Sequence, residues 1–237
     1  MQSPALELAD VHAWYGESHI LHGISLSVQK GQVLTLLGRN GAGRTTTLRA
    51  IMGLTGERRG SIKVHGVETI GMPTHTIAHL GLGYCPEERG IFASLTTEEN
   101  LRLPPLLSTR RSTPMSEEAI YTMFPNLAER RQSPGTRLSG GEQQMLAVAR
   151  ILRTGADILL LDEISEGLAP VIVQALARMI TTLKTQGFTI LMVEQNFRFA
   201  APLADYFIVV EHGEVALSFP AVELATKQAE LDVLLSV

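Results

Sequence analysis

The sequence predicts an α/β protein with a mostly parallel β-sheet. Short runs of consecutive apolar residues, each too short for a helix and bounded by glycine or polar residues, are typical of strands buried on both faces. Stretches with helical periodicity separate these runs, and strands that alternate with helices are joined by right-handed crossovers, which place the strands parallel. The 237 residues are 45% hydrophobic, so the chain can bury the core of one compact unit with an attached subdomain.

The first part of the chain is predicted to be rich in β-structure. Strands are expected over residues 5–13 and 24–28, with a turn at Tyr15–Gly16 between them. The apolar run 32–37 lies between two glycines and is typical of a buried parallel strand, and a helix is expected over residues 45–52. We therefore expect small antiparallel β arms, followed by the first strand and helix of the α/β core.

Several short helices are predicted in the middle of the chain. The helical periodicity there is interrupted by Pro104–Pro105, Pro114 and Pro125, and proline interrupts a helix because it lacks the backbone N–H. A longer helix is predicted from Gly140 to about Arg153. We expect residues 96–154 to form a helical subdomain.

The last third of the chain returns to alternating strands and helices. The expected elements are strands over 157–161, 188–193 and 206–210, a helix over 171–185, and one or two helices in the tail 220–237. We expect residues 155–237 to complete the core begun by residues 1–95, so that residues 1–237 form a single domain.

The composition argues against several classes of protein. The 20 basic and 24 acidic side chains give a net charge of −4, which offers no electrostatic case for binding nucleic acid, where a basic face would be expected, so no nucleic-acid partner is expected. The single cysteine, Cys85, excludes an internal disulfide and indicates a reducing compartment. No apolar stretch reaches the roughly 18 residues of a bilayer span, and the first residues lack the features of a signal peptide. We therefore expect a cytoplasmic protein that reaches a membrane only through a partner.

A glycine-rich loop follows the first buried strand and opens a helix, which is the context that a phosphate-binding loop requires. Its backbone N–H groups and the positive end of the helix would bind an anion. Thr45 is placed to reach Mg²⁺, whereas Arg44 stands where the pattern normally has lysine and offers a planar fork in place of a compact ammonium. The alternative is a structural turn without a ligand. The candidate residues are Gly38, Asn40, Gly41, Ala42, Gly43, Arg44, Thr45 and Thr46.

Two carboxylates follow the strand predicted at 157–161. Asp162 and Glu163 come at its C-terminal end, where open α/β sheets bind their ligands. In phosphoryl transfer, Asp162 would hold Mg²⁺ and Glu163 would orient or deprotonate the attacking water. Two acids after a strand are by themselves more often the start of a solvated loop, but the phosphate-binding loop favours a functional pair.

A third segment, Leu138–Gln144, begins the long predicted helix. Ser139 and Glu142 have the spacing of a capping box. The capping box does not explain Gly140 and Gly141, because each glycine in a helix costs close to 1 kcal/mol. The two glycines suggest that an anion approaches the backbone there.

These three segments, in this order, resemble the nucleotide-binding subunit of ATP-binding cassette (ABC) transporters, and the resemblance covers nearly the whole chain. It implies a P-loop NTPase core with a mostly parallel sheet, an N-terminal antiparallel β subdomain and a helical signature subdomain. ATP and Mg²⁺ are the implied cofactors. A second ATPase subunit, identical or different, would pack head to tail, so that Ser139, Gly140 and Gly141 of one chain cap the γ-phosphate on the loop of the other.

Three further positions take their expected roles from the resemblance. Tyr15 matches the aromatic residue that stacks on adenine, although a tyrosine that merely packs the turn is the alternative and Trp14 is the neighbouring candidate. Glu87 stands where most members have a glutamine that contacts Mg²⁺ and the attacking water. Gln195 stands where a γ-phosphate-sensing histidine is common, and an amide can donate a hydrogen bond but carries no imidazole proton.

Departures from the general family pattern point to one branch. Tyr84–Glu87, Ser165–Pro170 and Glu194–Asn196 look like the importers of branched-chain amino acids, with urea and short-amide importers close by. The resemblance implies two transmembrane permease subunits, an extracellular or periplasmic solute-binding protein that acts through them, and a position on the inner face of the plasma membrane. Ile91 and Phe92 would dock on the permeases if they are exposed.

Two alternatives remain beside an active importer subunit. Arg44 and Gln195 are compatible with a weakly hydrolysing nucleotide-binding subunit, for example of a urea or amide importer. A soluble cassette protein that acts on DNA or ribosomes shares the same motifs, but the chain has no long coiled-coil insertion and no basic extension. The pair Arg110–Arg111 is expected to lie on a solvated face.

Overall fold

The strands of this computed structural model, which describes residues 3–106 and 113–235, form a six-stranded and a four-stranded sheet. The strands are β1 (Leu6–Tyr15), β2 (Ser18–Val28), β3 (Val33–Leu37), β4 (Arg58–Val64), β5 (Val67–Glu68), β6 (Leu82–Cys85), β7 (Ile158–Asp162), β8 (Thr189–Val193), β9 (Tyr206–Glu211) and β10 (Glu214–Pro220). The helices are α1 (Arg44–Met52), α2 (Thr74–Ala78), α3 (Thr97–Arg102), α4 (Glu117–Met123), α5 (Pro125–Glu129), α6 (Gly140–Thr154), α7 (Pro170–Thr185), α8 (Phe197–Ala200) and α9 (Leu224–Leu235). The pair Arg110–Arg111 lies outside the described residues.

The six-stranded sheet confirms the predicted parallel sheet. Its order is β10-β9-β3-β8-β7-β6, and only β10 runs antiparallel to its neighbour. Every residue of β3, β7 and β8 is buried, because one face packs against α6 and α7 and the other against α1 and the antiparallel sheet. The carboxyl ends of these three strands lie at one edge, which brings together the segments that follow them.

The four-stranded sheet has the order β2-β1-β4-β5 and is antiparallel throughout. The prediction of strands near residues 5–13 and 24–28 is confirmed by β1 and β2, which are longer than expected and meet at the turn after Tyr15. Strand β4 was not predicted, because its first residues are Arg58, Arg59 and Gly60, a polar start that lacks the apolar pattern of a strand.

The middle of the chain contains the predicted short helices α3, α4 and α5 and the longer helix α6. Pro125 is the first residue of α5, the position where the missing N–H does no harm. Buried side chains of α6, such as Leu146 and Leu152, pack in one core with α4, α5 and α7. The helices of this block therefore rest on the sheet through α6.

The end of the chain differs from the prediction in one respect. Helix α7 and strands β8 and β9 lie where they were expected, but Glu214–Pro220 forms the edge strand β10, which was not predicted. Its exposed residues alternate with half-buried or buried ones, as in a strand with one solvated face. Pro220 thus ends a strand, and the expected closing helices follow it as a short 3₁₀-helix (Ala221–Glu223) and α9, which starts at Leu224. In residues 3–106 and 113–235, no helix combines the length and the apolar composition of a bilayer span.

Candidate functional site

The glycine-rich loop connects β3 to α1 and bends through left-handed backbone. Gly41 and Gly43 have φ angles of 79° and 108°, which favour glycine. The N-terminus of α1 carries no side-chain cap, and no acidic residue lies in its first turn. The first N–H groups of α1 therefore have no side-chain acceptor, and they lie at the positive end of the helix dipole. Such a helix end is suited to bind the phosphate groups of a nucleotide.

A cavity of about 430 Å³ opens over this loop, a size typical of small-molecule sites. The predicted site residues that line it are Tyr15, Asn40, Gly41, Ala42, Gly43, Arg44, Thr45, Thr46, Glu87, Glu163 and Gln195. Ile20 and Glu166 also line the cavity and were not predicted as site residues. The structure thus brings together side chains that are separated by up to 180 positions in the sequence.

Asp162 lies beneath the cavity at the end of β7. The Thr45 hydroxyl donates to Asp162 Oδ1 at 3.0 Å, and the Tyr84 hydroxyl donates to Oδ2 at 3.1 Å. Asp162 is fully buried, and this burial raises the pKa of its carboxyl group. A hydroxyl and a carboxylate are the hard oxygen ligands that Mg²⁺ prefers, and a cation here would offset the cost of burying the carboxylate. The donor set therefore fits Mg²⁺.

Glu163 has an unusual backbone conformation for a residue with a side chain. Its φ angle is 46°, in the left-handed region, and such strain is concentrated at functional sites. Its carboxylate accepts a hydrogen bond from Arg44 Nη2 at 2.8 Å and another from Gln195 Nε2 at 3.1 Å. The sharp turn after β7 therefore aims this carboxylate at the loop.

Arg44 is the most buried cation of the site, with 4% of its surface exposed. Its guanidinium donates to the backbone carbonyl of Glu194 at 2.9 Å, to Glu163 Oε1 at 2.8 Å and to Asn40 Oδ1 at 3.3 Å. Burial lowers the pKa of Arg44, and the nearby carboxylate of Glu163 acts in the opposite direction. The planar fork expected from the sequence is thus engaged by protein groups and pairs with the candidate base.

Two acidic residues of the site were missed by the sequence analysis as site residues. Glu194 is 1% exposed and accepts hydrogen bonds from the Ser165 hydroxyl at 2.7 Å and from the Ser165 amide at 3.2 Å. Burial raises the pKa of Glu194 to about 7. A hydrogen bond with Glu163 raises the pKa of Glu166. An acid directly after the four apolar residues that end the buried strand β8 was the signal that could have identified Glu194.

The segment Leu138–Gln144 starts α6 as predicted. The Ser139 hydroxyl accepts from the Glu142 amide at 3.3 Å, and Glu142 accepts from the Ser139 amide at 2.7 Å, so the capping box is confirmed. Gly140 and Gly141 have a structural reason that the sequence did not suggest. A side-chain carbon at Gly141 would lie 2.8 Å from Ile172 of α7, and one at Gly140 would lie 3.3 Å from the Arg89 guanidinium.

None of the three predicted signature residues, Ser139, Gly140 and Gly141, is among the described residues that line the 430 Å³ cavity. Tyr15, by contrast, lines it and is partly exposed, whereas the neighbouring Trp14 stacks on His19 with ring centroids 4.1 Å apart. Of the two aromatic candidates, only Tyr15 is among the described residues that line the cavity, where its ring could stack on a nucleotide's adenine. Cys85 is fully buried, and burial raises the pKa of its thiol to about 12, in keeping with a packing residue.

Comparison with known proteins places this geometry in a family. A family model described as "ABC transporter" matches residues 21–166. The high-affinity branched-chain amino acid transport ATP-binding protein BraG of Pseudomonas aeruginosa is 38% identical, over 93% of this chain and 95% of that protein. The probable branched-chain amino acid transport ATP-binding protein LivF of Archaeoglobus fulgidus is 34% identical, over 92% of this chain and 93% of that protein.

The fold agrees with these sequence matches. A solved structure of an ATP-binding subunit of an ABC transporter is 26% identical and superposes with a TM-score of 0.81, over 98% of this chain and 100% of that one. The family model covers more than half of the chain, and the similarity to BraG extends over nearly all of both proteins. The chain therefore belongs to the ABC transporter family.

Proposed function

We propose that this chain is the subunit that binds and hydrolyses ATP in an importer of branched-chain amino acids. The observation that carries the proposal is that Glu163 lines the cavity over the glycine-rich loop, while Asp162 accepts a hydrogen bond from Thr45 of that loop. The names of BraG and LivF as ATP-binding proteins of branched-chain amino acid transport suggest the class of solute. The reaction converts ATP and water to ADP and phosphate, and its free energy drives uptake through partner permeases.

ATP is held by the loop and by the hairpin between β1 and β2. The N–H groups at the start of α1 donate to phosphate oxygens, and Tyr15 offers its ring to the adenine. Thr45 and Asp162 would hold Mg²⁺, and Glu87 lines the same cavity. When bound, the ion would supply positive charge to offset the charge that develops on the transferred phosphoryl group.

Glu163 acts on the attacking water. Its carboxylate orients the water and accepts its proton as the water oxygen bonds to the γ-phosphorus, while the bond between that phosphorus and the bridging oxygen breaks and ADP leaves. Gln195, which donates to Glu163, fixes the direction of this carboxylate and faces the same cavity. Arg44 donates to Glu163 Oε1, and this ion pair makes the carboxylate a weaker base until the guanidinium turns toward the phosphates.

A second ATPase subunit completes each site. The signature residues Ser139, Gly140 and Gly141 do not line the cavity of their own chain among the described residues, which supports a role for them at the cavity of a partner chain. Packed head to tail, two subunits would place the start of one α6 helix against the γ-phosphate bound by the other chain. The partner is a second copy or a related ATPase.

The segment Pro86–Leu95, called here the docking segment, is proposed to contact two transmembrane permease subunits. Phe92 is 46% exposed, an unusual exposure for an aromatic ring, whereas Ile91 is half-buried against the helical core. The chain would thus be a cytoplasmic protein held at the inner face of the plasma membrane by the permeases. A solute-binding protein on the outer side would act on it only through them.

The proposed activity is tested by measuring phosphate release from ATP with Mg²⁺ by the wild type and the Glu163→Gln variant. Loss of a general base is expected to lower turnover by about 10² to 10⁴-fold while ATP still binds. Glu129→Gln, an exposed change on α5, is the matched control and should hydrolyse like the wild type. Equal turnover of the wild type and Glu163→Gln would refute the role of Glu163.

A weakly hydrolysing subunit is the second candidate function, and one observation favours it. The ion pair between Arg44 and Glu163 joins the cation that should bind phosphate to the carboxylate that should activate water. Both groups are almost fully buried, so the pair is little screened by solvent. If this pair persists with ATP bound, the subunit serves mainly as a nucleotide-driven switch, for example in a urea or amide importer, and its partner carries most of the turnover.

A further inference from the structure

The docking segment and the first turn of α6 are joined through one arginine. We propose that Arg89 is a positioning residue that holds the signature residues Ser139, Gly140 and Gly141 in place and ties them to the docking segment. The proposal rests on the proposed function, since it gives Arg89 a part in the cooperation of two ATPase subunits.

Arg89 reaches α6 by a hydrogen bond between side chains. Its Nη1 donates to Gln143 Oε1 at 3.0 Å. The other end of the same amide, Gln143 Nε2, donates to the carbonyls of Gly135 at 3.1 Å and Leu138 at 3.2 Å. The amide oxygen and the amide nitrogen of Gln143 are therefore both hydrogen-bonded. Through Gln143, Arg89 is connected to the backbone of residues 135–138, which leads directly into Ser139.

The Arg89 guanidinium also lies against the backbone of Gly140. A side-chain carbon built at Gly140 would be 3.3 Å from both Nη1 and Nη2, closer than nearly all such carbons approach a neighbour. A side chain at this position would require the guanidinium to shift by a few tenths of an ångström, whereas glycine lets it lie directly against the backbone. The close approach gives the first glycine of the signature a purpose inside its own chain, in addition to any contact with a nucleotide.

The placement of Arg89 is unfavourable in two ways and therefore calls for an explanation. Its φ angle of 63° lies in the left-handed region, which a residue with a side chain rarely adopts. Its positive charge lies near the N-terminus of α6, the positive end of the helix dipole, and among the described residues it has no ion-pair partner. Strained residues of this kind persist where the surrounding structure holds them for a function.

Backbone bonds fasten the docking segment to the same turn. The Gly135 amide donates to the Leu95 carbonyl at 2.9 Å, and the Thr136 amide donates to the Ala93 carbonyl at 3.0 Å. Further along α6, the Arg150 guanidinium lies 4.9 Å from the centre of the Phe92 ring and donates to the Gly90 carbonyl. A displacement of the exposed Phe92 would therefore be passed on to α6 and its first turn.

The neighbouring residue, Glu88, links the docking segment to a different helix, α1. Its carboxylate accepts from Arg49 of α1, the helix that begins with the phosphate-binding loop, at 3.4 Å. This pair is exposed and so contributes little. Glu88 thus links the docking segment to α1 of its own chain, whereas Arg89 holds the turn that would serve the partner's site. Of the two links, that of Arg89 is the more buried one and carries the proposal.

The test compares the full-length wild type with Arg89→Ala, Gln143→Ala and the double variant in ATP hydrolysis with Mg²⁺. Each single change is expected to lower turnover about tenfold, the loss expected for one charge-assisted hydrogen bond. Affinity for a non-hydrolysable ATP analogue should stay within about twofold, because the loop of the same chain is untouched. The double variant should be no slower than either single variant, since both remove one link. Arg102→Ala, which removes an exposed arginine of α3, is the control.

Hydrogen exchange separates a failure of this inference from a failure of the proposed function. Arg89→Ala should speed exchange of the amides of residues 139–144 and leave those of α1 unchanged, even if the wild type proves not to hydrolyse ATP. Arg89→Lys keeps a donor but loses the flat contact with Gly140, so its exchange rates at residues 139–144 should lie between those of the wild type and of Arg89→Ala. Unchanged exchange at residues 139–144, an equal loss of nucleotide affinity, or additive effects on turnover would each overturn the role of Arg89.

Discussion

Arg44 shows how one side chain can change the behaviour of a phosphate-binding loop. The lysine that normally stands there presents a single charged nitrogen, whereas this guanidinium bridges Glu163, Asn40 and the Glu194 carbonyl. ATP phosphates would have to compete with these groups for the guanidinium. Breaking the bond between Arg44 and Glu163 would therefore make the free energy of ATP binding less favourable.

Arg44→Lys is expected to raise both ATP affinity and turnover more than tenfold, about 1.4 kcal/mol, if the ion pair restrains the site. A lysine ammonium cannot span the three acceptors, so Glu163 would be freed when nucleotide binds. Affinity titration and phosphate release on the two proteins measure the effect. Unchanged values would mean that Arg44 serves as well as lysine, and the weakly hydrolysing subunit would be dismissed.

Glu194 is expected to make the stability of the protein depend on pH. Burial raises its pKa to about 7 from the ordinary value near 4.5, so the folded chain keeps a proton that the unfolded chain loses between these pH values. Its contribution is therefore complete below about pH 4.5 and is lost as pH rises through 7, a change of about 3 kcal/mol. Relative to Glu194→Gln, the wild-type Tm should fall between pH 5 and 8. Parallel curves for the two proteins would contradict this pKa.

At the scale of the elements, the interior strands of the six-stranded sheet were predictable and its edge strands were not. All residues of β3, β7 and β8 are buried and four of the five in each are apolar, so local sequence alone identifies these strands. β6 contains Gly83 and only four residues, and β10 alternates between exposed and half-buried positions, so neither shows an apolar run. β6 pairs with β7, which is distant in sequence, and β10 pairs with β9 across the turn that joins them. Neither pairing can be recognised from the composition of the strand itself.

The start of α6 depends on its contact with α7 in a way that helix propensity does not reveal. In Gly141→Ala the added carbon would lie 2.8 Å from Ile172 Cγ1 and Cγ2, atoms next to the backbone of α7 that have little freedom to move. The expected overpacking cost of about 1–3 kcal/mol exceeds the gain of close to 1 kcal/mol from alanine in a helix.

Urea unfolding of Gly141→Ala, alone and together with Ile172→Ala, measures this contact. The glycine substitution should destabilise the wild-type background and do so less, or not at all, once Ile172 is shortened. A stabilising effect of Gly141→Ala in the wild-type background would show that the two helices adjust freely.

At the scale of the whole molecule, the sequence predicts the parts that each lie in one stretch. The loop from Gly38 to Thr46, the pair Asp162 and Glu163, and the capping box at Ser139 are read from neighbouring residues. The pairing of Arg44 with Glu163 and of Arg89 with Gln143 joins side chains from different segments of the fold. Such contacts depend on how the elements pack in three dimensions, so no local sequence pattern predicts them.

Phe92→Asp tests the attachment to the membrane. A charge on this exposed ring position should reduce recovery of the protein with membranes that contain its permeases, because it replaces apolar docking surface. Folding should be little affected, since Phe92 is 46% exposed. Leu54→Asp, at a residue with 47% exposure after α1, is the matched control and should leave recovery unchanged. Full recruitment of the Phe92→Asp variant would argue against docking at this segment.

The central claim is that ATP binds over the glycine-rich loop with Mg²⁺ between Thr45 and Asp162. Calorimetric titration of the full-length protein with ATP, with and without Mg²⁺, tests it most directly when the Asp162→Asn variant is measured alongside. We predict that Mg²⁺ strengthens ATP binding at least tenfold in the wild type and that Asp162→Asn abolishes this gain. Absence of ATP binding by the wild type, or an equal effect of Mg²⁺ on both proteins, would contradict the account.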